Sequence, residues 1–230
     1  MIQTPAKPKK QTDPRKALWI WAVALGILSY QVASGHLASM DQQVASWASF
    51  LHSPFFDRVM QALTFFGSST WTTVALIGLG FLAFRHGGIA SVLILLGSFL
   101  VAAVMEVGLR LSIAQWRPDT IVVPASMDVM TRFELAGFPS GHGFRSAFVF
   151  GWFAQQLKDA RWAQAGKVGC VVLIGLVGIS RLYLNRHWAT DVLGSWLVVL
   201  VALSIARCWE HGACKHAFAV REKLSSLKAS

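Results

Sequence analysis

The stretch VGCVVLIGLVGISRLYLNRHWATDVLGSWLVVLVALSIARC, residues 168–208, sets two apolar runs either side of a segment crowded with Ser180, Arg181, Arg186, His187 and Asp191. Each run, 168–184 and 192–208, approaches the ~20 residues a helix needs to cross the hydrocarbon core of a bilayer. Reactive side chains held between two such helices lie at a membrane surface.

Working outward, further apolar runs cover 17–33, 60–84, 88–109 and 144–157, which makes six candidate spans. The shorter runs must extend into their polar flanks to cross, so polar motif residues are expected at helix ends. Composition agrees: 54% of the 230 residues are hydrophobic and 14% charged, unlike a soluble protein. The expected fold is all-α, a six-transmembrane helical bundle with its active site at the outer ends of the helices. A basic, disordered cytoplasmic tail is expected at 1–16, the catalytic membrane domain at 17–208, and a basic cytoplasmic tail at 209–230. The first run resembles a secretory signal peptide, but further spans follow and an uncleaved anchor serves the same topology. Between the first two runs, residues 35–58 carry Trp47, Phe50, Phe55 and Phe56, and read as a loop or short surface helix along the interface.

The net charge of +10 sits in short clusters between apolar runs, which fits lipid head groups and the cytoplasm rather than nucleic acid. With the N-terminus inside, 14 of the 21 Lys and Arg fall on the cytoplasmic side. Both termini are then cytoplasmic, and the polar segments around 110–118, 139–142 and 180–191 meet on the outer surface. The three cysteines form neither a disulfide framework nor a zinc spacing.

Those three segments hold the chemistry. Arg110 and Arg117 lie seven apart in RLSIAQWRP, one face of a continuing helix before Pro118 redirects it. Two guanidinium forks can hold phosphoryl oxygens, while interfacial arginines reaching for head groups are the alternative. Pro139-Ser140-Gly141-His142 reads as a helix start: Ser140 caps, Gly141 admits a ligand close to the backbone, and free amides offer an anion site. His142 there can donate a proton to a leaving oxygen, or serve only as an interfacial histidine. His187 and Asp191 are four apart, one helical turn, so the carboxylate can take the Nδ1 proton and leave Nε2 as nucleophile. A structural pair at a helix N-terminus is the bland alternative. Arg181 would be a third phosphate clamp.

Together the segments resemble the type 2 phosphatidic acid phosphatase superfamily of membrane lipid phosphatases, over residues 60–208. That resemblance implies His187 as nucleophile, Asp191 as its partner and His142 as general acid. It implies Arg110, Arg117, Ser140, Gly141 and Arg181 as phosphate binders, and no metal or other cofactor. Position 110 is usually Lys in the family, and Arg keeps the charge, so function should survive. Arg145 and Arg186 are possible head-group contacts. Glu106, one turn before Arg110, is expected to pair with it. Charges in the 119–134 loop are expected to be solvated.

The expected activity is hydrolysis of a lipid phosphate or pyrophosphate through a phosphohistidine at the bacterial inner membrane. Undecaprenyl pyrophosphate is the first choice of substrate. Phosphatidylglycerophosphate, phosphatidic acid and the 1-phosphate of lipid A are alternatives. A phosphotransferase using the same site and a non-catalytic lipid-binding protein are the competing readings. The membrane lipid is the expected partner, and nothing in the sequence calls for an obligatory protein one.

Overall fold

A computed structural model describes residues 13–120, 126–157 and 162–229, with side chains as far as 212 apart from that of residue 49. The element order is α1 (Pro14–Ala33), α2 (Ala38–Ser49), α3 (Pro54–Thr64), a 3₁₀ turn (Phe65–Gly67), α4 (Ser69–Ser112), α5 (Val129–Leu135), α6 (Gly141–Gln156), α7 (Ala163–Tyr183) and α8 (Ala189–Ala229). Among the described residues there is no strand, and one isolated bridge joins Trp116 to Ala136.

The sequence marks most helix starts chemically. Asp13 accepts from the Arg15 N–H ahead of Pro14, so α1 begins three residues before its apolar run. Ser53 caps α3 ahead of Pro54, Ser68 caps α4 and Ser140 caps α6, each accepting a backbone N–H three residues on. A side-chain oxygen at this position satisfies a donor that the helix itself leaves unpaired, typically worth about 1 kcal/mol.

Four helices among the described residues are long and apolar enough to cross a membrane: α1, α4, α7 and the 189–212 part of α8. The chain is a multi-pass membrane protein. The 44 residues of α4 are broken at Gly87 and Gly88, the latter at φ 64°, a left-handed conformation that glycine adopts without steric cost. The break folds α4 back on itself. Gly67, just before it, accepts from Arg145 Nε at 2.8 Å, and Arg110, near its end, donates to Pro139 O at 2.8 Å, so both ends of α4 meet the start of α6.

The expected run at 60–84 is therefore divided, with Met60 in α3 and the first limb of α4 beginning at Ser69. Ser68 caps that limb after the 3₁₀ turn, which ends the preceding helix. Residues 35–58, expected as a loop or one surface helix, form α2 and the start of α3. The C-terminal tail expected from 209 continues α8 as helix to Ala229. Most of the expected N-terminal tail, and Lys158 and Arg161 of the charge count, lie outside the described residues.

The core centres on α8, which packs against α1, α4 and α6. Leu95 and Ala102 from α4, Phe148 from α6, and Val198 and Ala202 from α8 are fully buried within it. Phe148 meets Phe99 edge-on with ring centroids 5.1 Å apart. Outward residues such as Ile77, Phe81, Leu93, Leu100 and Val171 are exposed, as helices facing lipid require. At one end Val32, Ile113 and Phe138 form a second, smaller core beneath the motif segments.

Candidate active site

The nucleophile candidate sits in the turn between α7 and α8, two residues before α8 begins. His187 is 3% exposed and Asp191 fully buried, with His187 Nδ1 and Asp191 Oδ2 3.1 Å apart. The spacing of four expected on a continuous helix is realised across a helix start instead. Asp191 Oδ2 also accepts the Trp188 N–H at 2.9 Å, as an acid in a first turn commonly does. A proton on Nδ1 leaves Nε2 as the ring's free lone pair.

Several segments hold this pair in place. Ser140 N–H donates to the Asp191 backbone carbonyl at 3.0 Å, joining the starts of α6 and α8. Gly137 lies against the Asp191 carboxylate so closely that a Cβ there would stand 2.7 Å from Oδ2. Gly194, one turn into α8, is covered by the Phe138 ring.

Burial, and then Arg181, Arg117, Arg110 and His142 in decreasing order, hold the His187 imidazole well below the ordinary histidine range. All four cationic or basic neighbours are residues that the sequence motifs supplied. Arg110 Nη2 contacts Glu106 Oε1 at 2.6 Å as well as Pro139 O, and its guanidinium lies 4.7 Å from the Phe133 ring centroid. The expected Glu106–Arg110 pair is thus present. Arg117 does not continue the helix: α4 ends at Ser112, Ile113 is extended, and Arg117 N–H donates to Leu135 O. It reaches the site from an extended segment pinned by Trp188 Nε1 donating to Trp116 O at 2.7 Å. Arg181 donates Nη1 to Thr64 Oγ1 at 2.9 Å.

Ser140 spends its hydroxyl on the helix cap, accepting the Gly143 N–H at 3.3 Å. A Cβ at Gly141 would stand 3.4 Å from Arg110 Nη2, Arg145 Nη1 and Glu106 Oε1, so this glycine lies beside the guanidiniums. Arg145 belongs with the cluster: Nε donates to Gly67 O, and Nη2 lies 3.4 Å from His142 Nδ1. Arg186 stands apart at the rim, 2.7 Å from Asp119 Oδ2 and with a side chain 56% exposed. Asp119 is therefore ion-paired rather than merely solvated. Elsewhere in that loop Asp128 caps α5, a short helix at a place expected to be loop.

Four guanidiniums, from Arg110, Arg117, Arg145 and Arg181, thus surround two histidines. Glu106 is the one carboxylate ion-paired with any of the four among the described residues. The Nε atoms of Arg110, Arg117 and Arg181 are buried without a partner. A buried excess of cationic donors is costly unless an anion completes it. Among the described residues no group of three or more His, Cys, Asp or Glu is placed to hold a metal ion.

A model of the PAP2 superfamily matches residues 91–213, more than half of the chain. The chain belongs to the PAP2 superfamily. This PAP2 chain is 27% identical over 188 residues to phosphatidylglycerophosphatase B of Bacillus subtilis, covering 79% of the chain and 88% of that protein. It is 32% identical over 90 residues to a PA-phosphatase related-family protein of Dictyostelium discoideum, covering 35% of the chain and 27% of that protein. Among solved structures it resembles a transmembrane PAP2-type phosphatidylglycerolphosphate phosphatase from Bacillus subtilis. The TM-score is 0.70 at 23% identity, over 88% of this chain and 98% of that one. It also resembles LpxE of Aquifex aeolicus, with a TM-score of 0.55 at 18% identity over 72% and 93%. At these identities the structural likenesses carry the fold.

The motifs missed several residues around this PAP2 site. Asp41 of α2 is 3% exposed and accepts from Thr190 and Gln115, at the start of α8. Thr64 and Gly67 come from the segment before α4. Tyr183 donates to Asp57 Oδ1 at 2.7 Å, which ties α3 to the end of α7 near Arg181. Nothing in the sequence distinguishes Asp41 from an ordinary acid in a helix's first turn. Gly67 and Gly137 are close-approach glycines whose partners lie far along the chain.

Proposed function

We propose that this protein is an integral membrane lipid phosphatase that works through a phosphohistidine on His187. The observation that carries the reading is the group of four guanidiniums, Arg110 and Arg181 buried and Arg117 and Arg145 half-buried, with one paired carboxylate, around the His187–Asp191 pair. A phosphoryl group brings the negative charge and oxygen acceptors that this arrangement lacks. Arg110, Arg117, Arg181 and the start of α6 at Ser140 and Gly141 hold it. Arg145 completes the cluster beside His142.

In the first step His187 Nε2 attacks phosphorus, the N–P bond forms and the P–O bond to the lipid breaks. A protonated His142 gives its proton to the departing oxygen. An arriving phosphate offsets the surrounding cations and so shifts His142 toward its protonated form. Asp191 stabilises the imidazole as it becomes cationic. In the second step water attacks phosphorus, its proton passes to His142, the N–P bond breaks and inorganic phosphate leaves. No step of this sequence calls on a metal.

Six membrane crossings are part of the proposal: α1, the two limbs of α4, α6, α7 and α8, with both termini cytoplasmic. The site then faces the periplasm or exterior, which the distribution of Lys and Arg supports. The substrate is a lipid phosphate. The named relative that spans most of both chains is a phosphatidylglycerophosphatase, which moves phosphatidylglycerophosphate ahead of undecaprenyl pyrophosphate as first choice.

Phosphate release by purified protein across a panel of these lipids, with His187→Ala as control and with and without chelator, tests the proposal. We expect release from at least one lipid, none from the variant and no chelator effect. Labelled phosphate passing to a lipid acceptor without free phosphate would make the protein a phosphotransferase and overturn the hydrolase reading.

A further inference from the structure

One cavity lies away from the catalytic end. It has a volume of about 710 Å³ between α6, α7 and α8, with Ala147, Trp152, Ile174, Trp196, Val199 and Leu203 among its walls. These come from the middle of the helices. Polar residues among the lining, Gln155, Gln156, Lys167 and Arg207, come from the end of α6, the start of α7 and the middle of α8, at the end of the bundle opposite His187. The cavity therefore changes from apolar to cationic and amide-lined along its length.

Helix length explains this shape. The 16 residues of α6 reach ~24 Å, short of the ~30 Å hydrocarbon core, whereas the 21 residues of α7 reach ~32 Å. Where α6 stops, Leu157 turns against Gly166 of α7, and a Cβ on that glycine would stand 2.7 Å from Leu157 Cδ1. Beyond that point only the first three residues of α7 and the continuing α8 remain, without α6 between them. Polar side chains are thus brought to head-group depth or slightly inside it. Arg207 Nε donates to Gln155 Oε1 at 2.9 Å, which sets its guanidinium at the mouth. Glu210 also lines the mouth, but among the described residues it forms no ion pair with Lys167 or Arg207. The indole N–H groups of Trp152 and Trp196 are buried without partners in the walls.

We propose that this groove is a binding site for one anionic phospholipid of the leaflet opposite the catalytic end. One acyl chain lies along Ile174, Trp196, Val199 and Leu203, and the phosphate meets Lys167, Arg207 and the two glutamines. Charge selects the occupant: a zwitterionic lipid also fills the apolar part, but its own cation opposes the two basic side chains at the mouth. The lipid is a structural ligand, separate from the substrate site, and its occupancy does not depend on the proposed catalytic mechanism.

Retention of phosphatidylglycerol and of phosphatidylcholine with the same acyl chains, measured by native mass spectrometry of the full chain in detergent, tests this. The wild type should retain one phosphatidylglycerol roughly thirtyfold more tightly than phosphatidylcholine, the order expected from two basic contacts. Lys167→Gln with Arg207→Gln should abolish the preference while phosphate release continues, which shows that the variant is folded. Ile174→Trp, which fills the apolar part, should weaken retention of both lipids. Equal retention of the two lipids by the wild type would overturn the proposal. So would a preference that survives the double substitution, because the basic segments outside the groove would then be its source.

Discussion

The Asp41 carboxylate takes two hydrogen bonds from Thr190, the backbone N–H to Oδ1 at 3.0 Å and the hydroxyl to Oδ2 at 2.6 Å. Thr190 is the second residue of α8 and immediately precedes Asp191. Gln115 Nε2 donates to Asp41 Oδ2 and Thr190 Oγ1, at 3.2 and 3.0 Å, so the segment leading to Arg117 joins the same cluster. A residue of α2 thereby fixes the start of α8 and the segment leading to Arg117 relative to each other. Asp41 is a positioning residue and touches no reacting atom.

Asp41→Asn keeps the shape but turns one acceptor into a donor opposite Thr190. A displacement of the order of 1 Å at a reacting group can cost about a hundredfold, so kcat should fall between about tenfold and a hundredfold. KM should change little, since the arginines remain. Steady-state kinetics on the wild-type substrate separates the two, and a rise in KM with unchanged kcat would assign Asp41 to substrate binding instead.

Gly137→Ala should be more damaging than its size implies. The added Cβ would stand 2.7 Å from Asp191 Oδ2, and Asp191 is held by Trp188 and Ser140. Overpacking of this kind costs roughly 1–3 kcal/mol. Thermal unfolding in detergent should show a lowered midpoint, and turnover measured well below that midpoint should still be depressed. Full activity at low temperature would mean that the Asp191 carboxylate can move without consequence.

The pH profile follows from the environment of His187. Its imidazole is held below the ordinary value, so in the empty enzyme it stays neutral as pH falls through about 6.5. The acid limb of kcat/KM, which reports the free enzyme and free substrate, should not come from this residue. It should instead follow the second ionisation of the phosphate and move when substrates of different phosphate acidity are compared. A limb fixed near 6.5 for every substrate would contradict the neutral, buried nucleophile.

Much of this was legible because motif chemistry survives folding unchanged. Ser140 caps α6, Glu106 pairs with Arg110, and His187 meets Asp191, each through contacts of four residues or fewer along the chain. Errors arose where tertiary contacts overrode local pattern. Arg117 was expected on the helix of Arg110, but α4 ends at Ser112 and the bridge between Trp116 and Ala136 holds the next segment extended. The aromatic stretch 35–58 reads as an interfacial surface, and its one buried acid, Asp41, owes its role to a partner 149 residues away. Arg145 follows His142 by one helical turn, but its sequence neighbours do not fix it toward the site. It joins the site because Gly67, lying close against His142, offers it a backbone carbonyl.

The central claim is covalent chemistry at His187, and trapping the intermediate tests it most directly. His142→Ala slows the step in which water is deprotonated, and a labelled aryl phosphate, whose leaving group departs without a proton, keeps the first step fast, so a brief incubation followed by alkaline quench should leave label on the protein. The label should be acid-labile and base-stable, map to the peptide containing His187, and vanish in the His142→Ala, His187→Ala double variant. Phosphate release by wild-type protein with no trapped label, or label on another residue, would contradict the account.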